Sequence, residues 1–290
     1  IKNVEPYKTN FIFVSFAAIL ISFFSILNQY LLKIAVDDYI TLKNYQGLIT
    51  IISIMVGVLL FQVLFQFLFV YFTNLLGQKV VFDIRNKLFS KIISFKMSYY
   101  NKSSIGRLVT RTVNDMETIA SIFSQGLFMI IADLILMLSV LTVMVILSLK
   151  LSIIIFLILP FIIVATRLFQ MAMKVAFNQV RNEVANLNSF VQERISGMKE
   201  IQIFNRERIE KSKFIKINQK HKNAWLKTVW YNSIFFPIAE ISTSITIGLL
   251  VWYGGGLVGF SDNSITIGTI FLFIQLSQML FRPLRQIADK

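Results

Sequence analysis

The sequence predicts an all-α membrane protein in which six spanning helices carry long extensions beyond the bilayer. Hydrophobic residues make up 56% of the chain and charged residues 15%, whereas an average soluble domain has roughly 25% charged residues. Residues 9–32 and 44–78 contain no Asp, Glu, Lys or Arg. The second stretch exceeds the roughly 20 residues that a helix needs to cross a bilayer. This composition excludes an ordinary soluble domain.

Basic residues are confined to four segments, which predicts the topology. All but Lys33, Lys43 and Lys150 of the 29 Lys and Arg residues lie at the N-terminal tip (Lys2, Lys8), in 79–111, in 167–227, or from Arg282 onward. Because Lys and Arg accumulate on the cytoplasmic side of membrane proteins, both termini are expected in the cytoplasm. The net charge of +14 also admits nucleic acid as a partner. We do not expect one, since the charges flank or separate apolar spans.

Apolar stretches between these basic segments predict a single six-helix transmembrane domain over residues 1–290. The predicted spans are 11–35, 47–97, 105–147, 152–203, 210–258 and 267–290, with cytoplasmic turns near 98–104 and 204–208. A helix over 47–97 would be about 75 Å long at 1.5 Å per residue, against a hydrocarbon core of about 30 Å. Two long helical hairpins are therefore expected to reach into the cytoplasm.

The connections on the opposite side are predicted to be short. A tight turn is expected around Leu147–Ser152. Turn-forming residues predict the last connection, and these are Gly254, Gly255, Gly256, Gly259, Asp262 and Asn263. Glycine-rich loops can also cradle phosphates, but no glycine here stands in a G-x-x-x-x-G-K-[ST] frame. We therefore interpret this cluster as a turn.

Residue types that carry catalysis are scarce in this chain. It has no cysteine and one histidine, His221, so thiolate metal sites are not available and the histidine cannot build a metal site by itself. We expect no catalytic, cofactor-binding or metal-binding residues.

Two ionisable residues interrupt the long apolar stretches expected at membrane depth, Asp133 in 118–149 and Glu240 in 228–261. Charge at membrane depth is costly and suggests function, although either side chain could equally line a water-filled cavity, be neutral, or bond a neighbouring helix. Gln275 and Gln278 are uncharged polar groups in the last span. These four residues are the candidates for a translocation pathway.

Three segments resemble those of ABC exporters. Residues 98–108 (SYYNKSSIGRL), followed by Arg111 to Asp115, are similar to the first intracellular loop of that family. Residues 193–207 (ERISGMKEIQIFNRE) are similar to the second loop, and residues 281–289 (FRPLRQIAD) to the end of the sixth span. The resemblance covers essentially the whole chain.

The resemblance implies a domain-swapped dimer of six-span domains that works by alternating access and is coupled to cytoplasmic ATPase domains. In this family a short coupling helix at each of the two intracellular turns docks on an ATPase. The matching residues here are Tyr99, Tyr100, Asn101, Lys102, Ser103 and Ser104 in the first loop, and Phe204, Asn205, Arg206, Glu207 and Arg208 in the second. ATP and Mg²⁺ are then expected on nucleotide-binding domains. The chain stops at Lys290, so we expect that the ATPase was truncated or is a separate chain. A bacterial plasma membrane is the expected location.

The residues alone are also compatible with two other classes of membrane protein. A secondary transporter or channel could use Asp133 or Glu240 as its ion-coupling group, and a structural scaffold would need no pathway. An ATPase encoded directly after Lys290 would decide for the exporter. The transported substrate, and whether the dimer joins identical or different subunits, do not follow from the sequence.

Overall fold

The computed structural model describes residues 8–259 and 265–289, except the side chains at 102, 121, 123–125, 259 and 287–289. In these ranges the chain is helical apart from short connections. The elements are α1 (Lys8–Ile34), a π-helical segment (Ala35–Ile40), α2 (Tyr45–Ile93), α3 (Met97–Lys102), α4 (Ile105–Thr112), α5 (Asn114–Ser121), a second π-helical segment (Ile122–Leu127), α6 (Phe128–Leu147), α7 (Leu149–Ser196), α8 (Met198–Ile203), α9 (Glu207–Gly259) and α10 (Ile267–Asp289).

Within the described ranges, six helical stretches are long and apolar enough to cross a bilayer. They are Lys8–Ile40, Tyr45–Ile93, Phe128–Leu147, Leu149–Ser196, Glu207–Val258 and Ile267–Gln286. The 53 residues of α9 extend about 80 Å at 1.5 Å per residue, well beyond a hydrocarbon core of about 30 Å. Long helices that leave the membrane are therefore a property of this chain.

Two compact units divide the chain. The first comprises residues up to Ser152 together with Leu250–Pro283. Its core joins α1, α2 and α6 through a buried apolar cluster of Val14, Leu76, Val80 and Phe128. A second cluster joins α2 to α5 through Val81, Met116 and Ala120. The outward face of α2 is left to lipid or to a partner, since only 6% of its most apolar stretch is buried.

The second unit comprises Ile153–Leu249 and the residues from Leu284 onward. The rings of Phe169 and Phe235 stack with their centroids 4.2 Å apart, and further along Phe190 lies 6.4 Å from Phe214. Residue numbers rise along α7 as they fall along α9, so the two helices run antiparallel. This pair forms one continuous hairpin.

The predicted cytoplasmic turn at 98–104 contains a short helix, at the position where the family resemblance implies a coupling helix. Residues Met97–Lys102 form α3, because the ring of Tyr99 packs 4.5 Å from that of Phe95. The hydroxyl of Tyr100 donates a 2.5 Å hydrogen bond to the carbonyl of Ile92. Turn-forming residue types alone did not reveal these contacts with the end of α2.

The predicted span 105–147 is not one helix. It is interrupted at Val113, which has φ −106° and ψ −70°, and by the second π-helical segment. The hydroxyls of Thr110 and Thr112 donate to the carbonyls four residues earlier, at Gly106 and Leu108. Bonding of this kind often bends helices, but α9 carries the same bonds at Ser242, Thr243 and Thr246 and is unbroken there, so these bonds alone do not explain the break.

The remaining connections also differ from the predictions. The predicted turn at Leu147–Ser152 is reduced to Ser148, whose extended backbone separates α6 from α7. The predicted helix 152–203 is broken at Gly197, which lies between α7 and α8.

The glycine cluster at 254–259 is helical rather than a turn, another correction. Helix α9 continues to Gly259, and Asp262 and Asn263 lie outside the described residues. A Cβ atom on Gly254 would lie 3.0 Å from Ile270 Cγ1 and 3.5 Å from Leu151 Cδ2. Gly254 therefore lets helix α9 approach these side chains closely, as small residues do at helix contacts in membranes.

We predict that Gly254→Val lowers the thermal unfolding midpoint of the purified protein. The new side chain would collide with Ile270, and overpacking of this kind costs about 1–3 kcal/mol. Gly255→Val is the matched control, because a Cβ atom there meets nothing within 4 Å. Equal melting temperatures for the two variants in detergent would contradict the packing role of Gly254.

Candidate functional site

The second predicted loop is a tightly defined turn between α8 and α9. Asn205 has a φ of 46°, in the left-handed region that Asn tolerates better than most residues. The N–H of Asn205 donates to the carbonyl of Gln202 (3.1 Å), and the N–H of Arg206 to that of Ile201 (2.9 Å). These two bonds form a Schellman motif, which satisfies the last carbonyls of a helix. The direction of the chain at the turn is therefore fixed by the backbone.

Helix α9 starts directly after this turn. The carbonyl of Arg206 accepts hydrogen bonds from the N–H groups of Ile209 and Glu210, both at 3.0 Å. Glu207 and Glu210 lie in the first turn of α9, where negative charge interacts favourably with the helix dipole. The next helix thus begins with almost no intervening loop.

An apolar side chain stands exposed at this turn. Phe204 is 71% exposed and its neighbour Ile203 is 62% exposed. The other predicted residues of the second loop are exposed as well, and these are Asn205, Arg206, Glu207 and Arg208. The turn therefore exposes an aromatic ring and several charged side chains.

Behind the turn, Glu210 is held by three cations. Its Oε2 lies 2.7 Å from Arg194 Nε, and its Oε1 lies 2.9 Å from Lys213 Nζ and 3.9 Å from Arg206 Nε. Glu210 is only 8% exposed. The guanidinium of Arg194 also lies 5.1 Å from the ring centroid of Phe190, a cation–π contact. This cluster ties the end of α7 to the start of α9.

Electrostatics keep Glu210 ionised. The hydrogen bond from Lys213 lowers the pKa of Glu210 below its ordinary value, and the charges of Arg194 and Arg206 act in the same direction. Partial burial acts the other way but does not outweigh them. The carboxylate is therefore negatively charged at neutral pH and pairs with all three cations.

The sequence analysis did not identify Glu210 as a site residue. It lies two residues beyond the predicted loop, in a charged stretch whose individual side chains look interchangeable. The available signal was its spacing, since Arg206 and Lys213 are four residues before it and three after it, on the same face of a helix. An open groove of about 490 Å³ lies beside the cluster, lined in part by Gly197 and Phe204.

The first predicted loop is positioned by aromatic contacts instead of charges. Tyr99 and Tyr100 are half-buried in the contacts of α3 described above, while Asn101 and Ser104 are exposed and Ser103 is half-buried. The side chain of Lys102 lies outside the described residues. The two predicted loops thus belong to different units of the chain and are held by different interactions.

Of the four predicted pathway residues, Glu240 has a partner that the sequence did not indicate. Arg285 Nη1 donates a 3.4 Å hydrogen bond to Glu240 Oε2. The side chain of Glu240 is 75% exposed and that of Arg285 is 27% exposed. An isolated charge at membrane depth is costly, and Arg285 provides Glu240 with a partner of opposite charge. Arg285 was missed because 45 residues separate it from Glu240.

The other three predicted pathway residues lie in the first unit. Asp133 on α6 is half-buried, Gln275 on α10 is half-buried, and Gln278 on α10 is exposed. Neighbouring residues Leu276 and Leu280 are fully buried, so α10 has a packed face and a polar face. The exposed glutamine lies where water or a ligand could reach it.

Comparisons with known proteins agree with this architecture. The family model described as the ABC transporter transmembrane region matches residues 11–284. The ABC transporter ATP-binding protein YknV of Bacillus subtilis is 27% identical over 288 residues, covering 99% of this chain and 47% of its own length. An ATP-dependent lipid A-core flippase of Syntrophus aciditrophicus is 26% identical over 267 residues, covering 90% and 43%.

A third relative comes from Staphylococcus aureus and is provisionally named a multidrug export ATP-binding/permease protein. It is 28% identical over 291 residues, covering 97% of this chain and 49% of its own length. The chain thus spans about half the length of the curated relatives it matches.

The predicted fold class and the predicted resemblance are confirmed by the family match and by the six apolar helical stretches. The chain belongs to the ABC transporter transmembrane-region family, as a transmembrane domain of the exporter type.

Proposed function

We propose that this chain forms the translocation pathway of an ATP-driven exporter that works by alternating access. The observation that carries the proposal is the second turn, where a fixed backbone presents the exposed Phe204 beside the buried carboxylate of Glu210. ATP and Mg²⁺ would be held by nucleotide-binding domains, and this chain would receive their motion. Two such transmembrane domains, identical or different, would form the working dimer in the cell membrane, with the termini in the cytoplasm.

The two loops would be the docking elements for the ATPase domains. An exposed aromatic side chain at the end of a well-ordered turn suits insertion into a groove of a partner, because burial of one aromatic ring supplies much of the contact energy. The α7–α9 hairpin is continuous from Phe169 to Arg194, a rise of about 37 Å. Movement of the turn would therefore be passed along the hairpin toward the membrane with little loss.

The pathway would be lined by Glu240, Gln278, Asp133 and Gln275. An exposed carboxylate paired with Arg285 is stable at membrane depth only where water reaches it. The relatives include proteins named as lipid A-core flippases and a multidrug export protein, so we infer an amphiphilic substrate for this chain. Export of lipid analogues and cationic drugs by the full transporter in proteoliposomes, with ATPase stimulation, tests the proposal.

We predict that Phe204→Ala uncouples the full transporter. Loss of the ring would weaken docking, so substrate export should fall at least about fivefold while basal ATP hydrolysis continues, given that truncating an interface anchor typically costs more than 1 kcal/mol. Phe67→Ala is the control, because Phe67 is similarly exposed, at 64%, but lies in an apolar span. Normal export and normal substrate-stimulated hydrolysis in Phe204→Ala would refute the docking role.

We predict that Glu210→Gln also reduces export per ATP hydrolysed. A neutral amide cannot pair with three cations, so Arg194, Arg206 and Lys213 would repel one another and the turn would loosen. Amide hydrogen exchange across residues 198–206 should become faster in Glu210→Gln. Glu183→Gln, on the same hairpin, should leave both measurements unchanged. If the turn exchanges at the wild-type rate in Glu210→Gln, Glu210 does not hold it.

The lowered pKa of Glu210 predicts a direction of pH dependence. A carboxyl with a lower pKa in the folded state contributes stability that is present above its unfolded pKa. That stability is lost as the pH falls through the folded value. Wild type should therefore lose more stability than Glu210→Gln on acidification from about pH 7 to about pH 3, near and below the ordinary carboxyl range. Parallel melting curves for the two proteins would contradict this expectation.

We predict that cysteines placed in the pathway react with a membrane-impermeant maleimide. The chain has no native cysteine, so Glu240→Cys and Gln278→Cys each provide a single labelling site. Phe61→Cys is the control for a lipid-facing position, since Phe61 is 57% exposed in an uncharged stretch. Labelling of Phe61→Cys as fast as the two pathway variants would argue against a water-filled pathway.

A further inference from the structure

A carboxylate at the end of the first span contacts the start of the last one. The hydroxyl of Thr266 donates to Asp37 Oδ2 at 2.5 Å, and the N–H of Gly268 donates to Asp37 Oδ1 at 2.7 Å. Both oxygens of one carboxylate are thus engaged by a segment about 230 residues away in the chain. All of these residues belong to the first compact unit. We call this contact the Asp37 clasp.

The start of α10 is arranged around this carboxylate. Thr266 accepts a 3.2 Å hydrogen bond from the N–H of Thr269, which is the usual bond of a helix N-cap residue. The N–H of Gly268 has no acceptor within its own helix, as is usual at a helix start, and it donates to Asp37 instead. A negative charge at this position also interacts favourably with the helix dipole. Asp37 therefore completes the capping of α10 from another helix.

Gly268 is the residue that permits this approach. A Cβ atom at position 268 would lie 2.6 Å from Asp37 Cγ and 2.6 Å from the carbonyl oxygen of Lys33. Real Cβ atoms do not come this close to a backbone oxygen, so a larger residue would force the two segments apart. Close backbone approach is a recognised reason for glycine in a structure.

The segment that carries Asp37 is also unusual. Asp37 lies in the π-helical segment Ala35–Ile40, directly after α1. Such segments are frequent at functional sites, because the extra residue in the turn changes the direction of side chains. The next residue, Asp38, lies in the same segment and is exposed, and the contacts of the clasp are made by Asp37. Of these two adjacent carboxylates, Asp37 is therefore the one that forms the clasp.

We propose that Asp37 is a positioning residue for transport, which holds the ends of α1 and α10 together in one state of the cycle. The bonds break when that side opens. The proposal rests on the proposed function, in which this end faces outward. Both partners lie at a helix end where water can replace a lost hydrogen bond, so a polar clasp can open and close reversibly. Further along α10, Phe273, Leu276 and Leu280 are fully buried, and separation there would expose apolar surface.

The test is a distance measurement between spin labels on the full transporter. Ile40→Cys and Ile267→Cys are suitable positions, because both side chains are about half exposed, at 54% and 49%. This chain has no native cysteine, and any cysteine in the rest of the transporter is replaced by serine. Dilution with unlabelled protein keeps the pair within one subunit. The distance is measured without nucleotide and with ATP and vanadate, in wild type and in Asp37→Asn, Gly268→Ala and Asp38→Asn.

We expect a short distance in wild type without nucleotide and a longer distance with ATP and vanadate. Asp37→Asn and Gly268→Ala should raise the ratio of long to short distances about tenfold without nucleotide, the effect of losing a hydrogen bond to a charged group. Asp38→Asn should match wild type. Faster substrate release to the outer side in Asp37→Asn, together with tighter apparent ATP binding, would distinguish gating from a general loss of stability, because a shift toward the state that ATP favours raises the apparent affinity for ATP.

Two results would overturn the proposal. One is a wild-type distance distribution in both Asp37→Asn and Gly268→Ala. The other is a wild-type distance that stays short in every nucleotide state while export proceeds, because the clasp would then be a static brace. A protein that exports none of the substrates would count against the proposed function instead. The nucleotide-free comparison of Asp37→Asn with wild type would still decide whether the clasp holds the two helices together.

Discussion

Backbone hydrogen bonding in hydrocarbon is the constraint on which this structure depends. Without water, each N–H and C=O group must be satisfied within its own helix, and irregular backbone is tolerated only outside the hydrocarbon or in a wet cavity. The long helices α2, α7 and α9 accordingly run unbroken through their apolar stretches. Among the breaks in the described chain, those at Ser148, Gly197 and Asn205 each have a charged residue within two positions. Elements that dock on a soluble partner can therefore form only beyond the membrane.

The α7–α9 hairpin changes the chemistry of its contacts along its length. Near the membrane it is held by stacked rings, as between Phe169 and Phe235. At its far end it is held by the charges around Glu210. Apolar contacts are strongest where water is present to be excluded, yet within lipid they act mainly through close packing. Ionic contacts at the far end are directional and fix one geometry, which the proposed docking role of the turn would require.

Polar contacts between distant segments have a second use in this chain. Glu240 with Arg285, and Asp37 with the start of α10, both join residues far apart in sequence. Water can replace each of these contacts when the partners separate, whereas a buried apolar face would be exposed at a cost proportional to its area. A transporter needs contacts of both kinds, because some surfaces must stay together while others exchange partners during the cycle.

The sequence by itself determined the membrane class, the number of apolar spans and the presence of helices that outrun the bilayer. These properties follow from local composition, since about 20 uncharged residues suffice to define a span. It also indicated the segments of the two loops, through the family resemblance. The sequence did not predict the exact positions of the breaks at Val113 and Gly197. These positions depend on local side-chain bonding as well as on the packing of neighbouring helices.

Only the tertiary structure decided which residues contact one another across the chain. Gly254 looked like part of a turn, but it lies within α9 and lets that helix approach Ile270 closely. Glu210 looked like one charge among many, but its ion pair with Arg194 ties the start of α9 to the end of α7. Asp37 and Arg285 carried no signal of their own, because their partners lie 231 and 45 residues away. Composition and periodicity report what surrounds a residue along the chain, while these contacts depend on which helices come together in space.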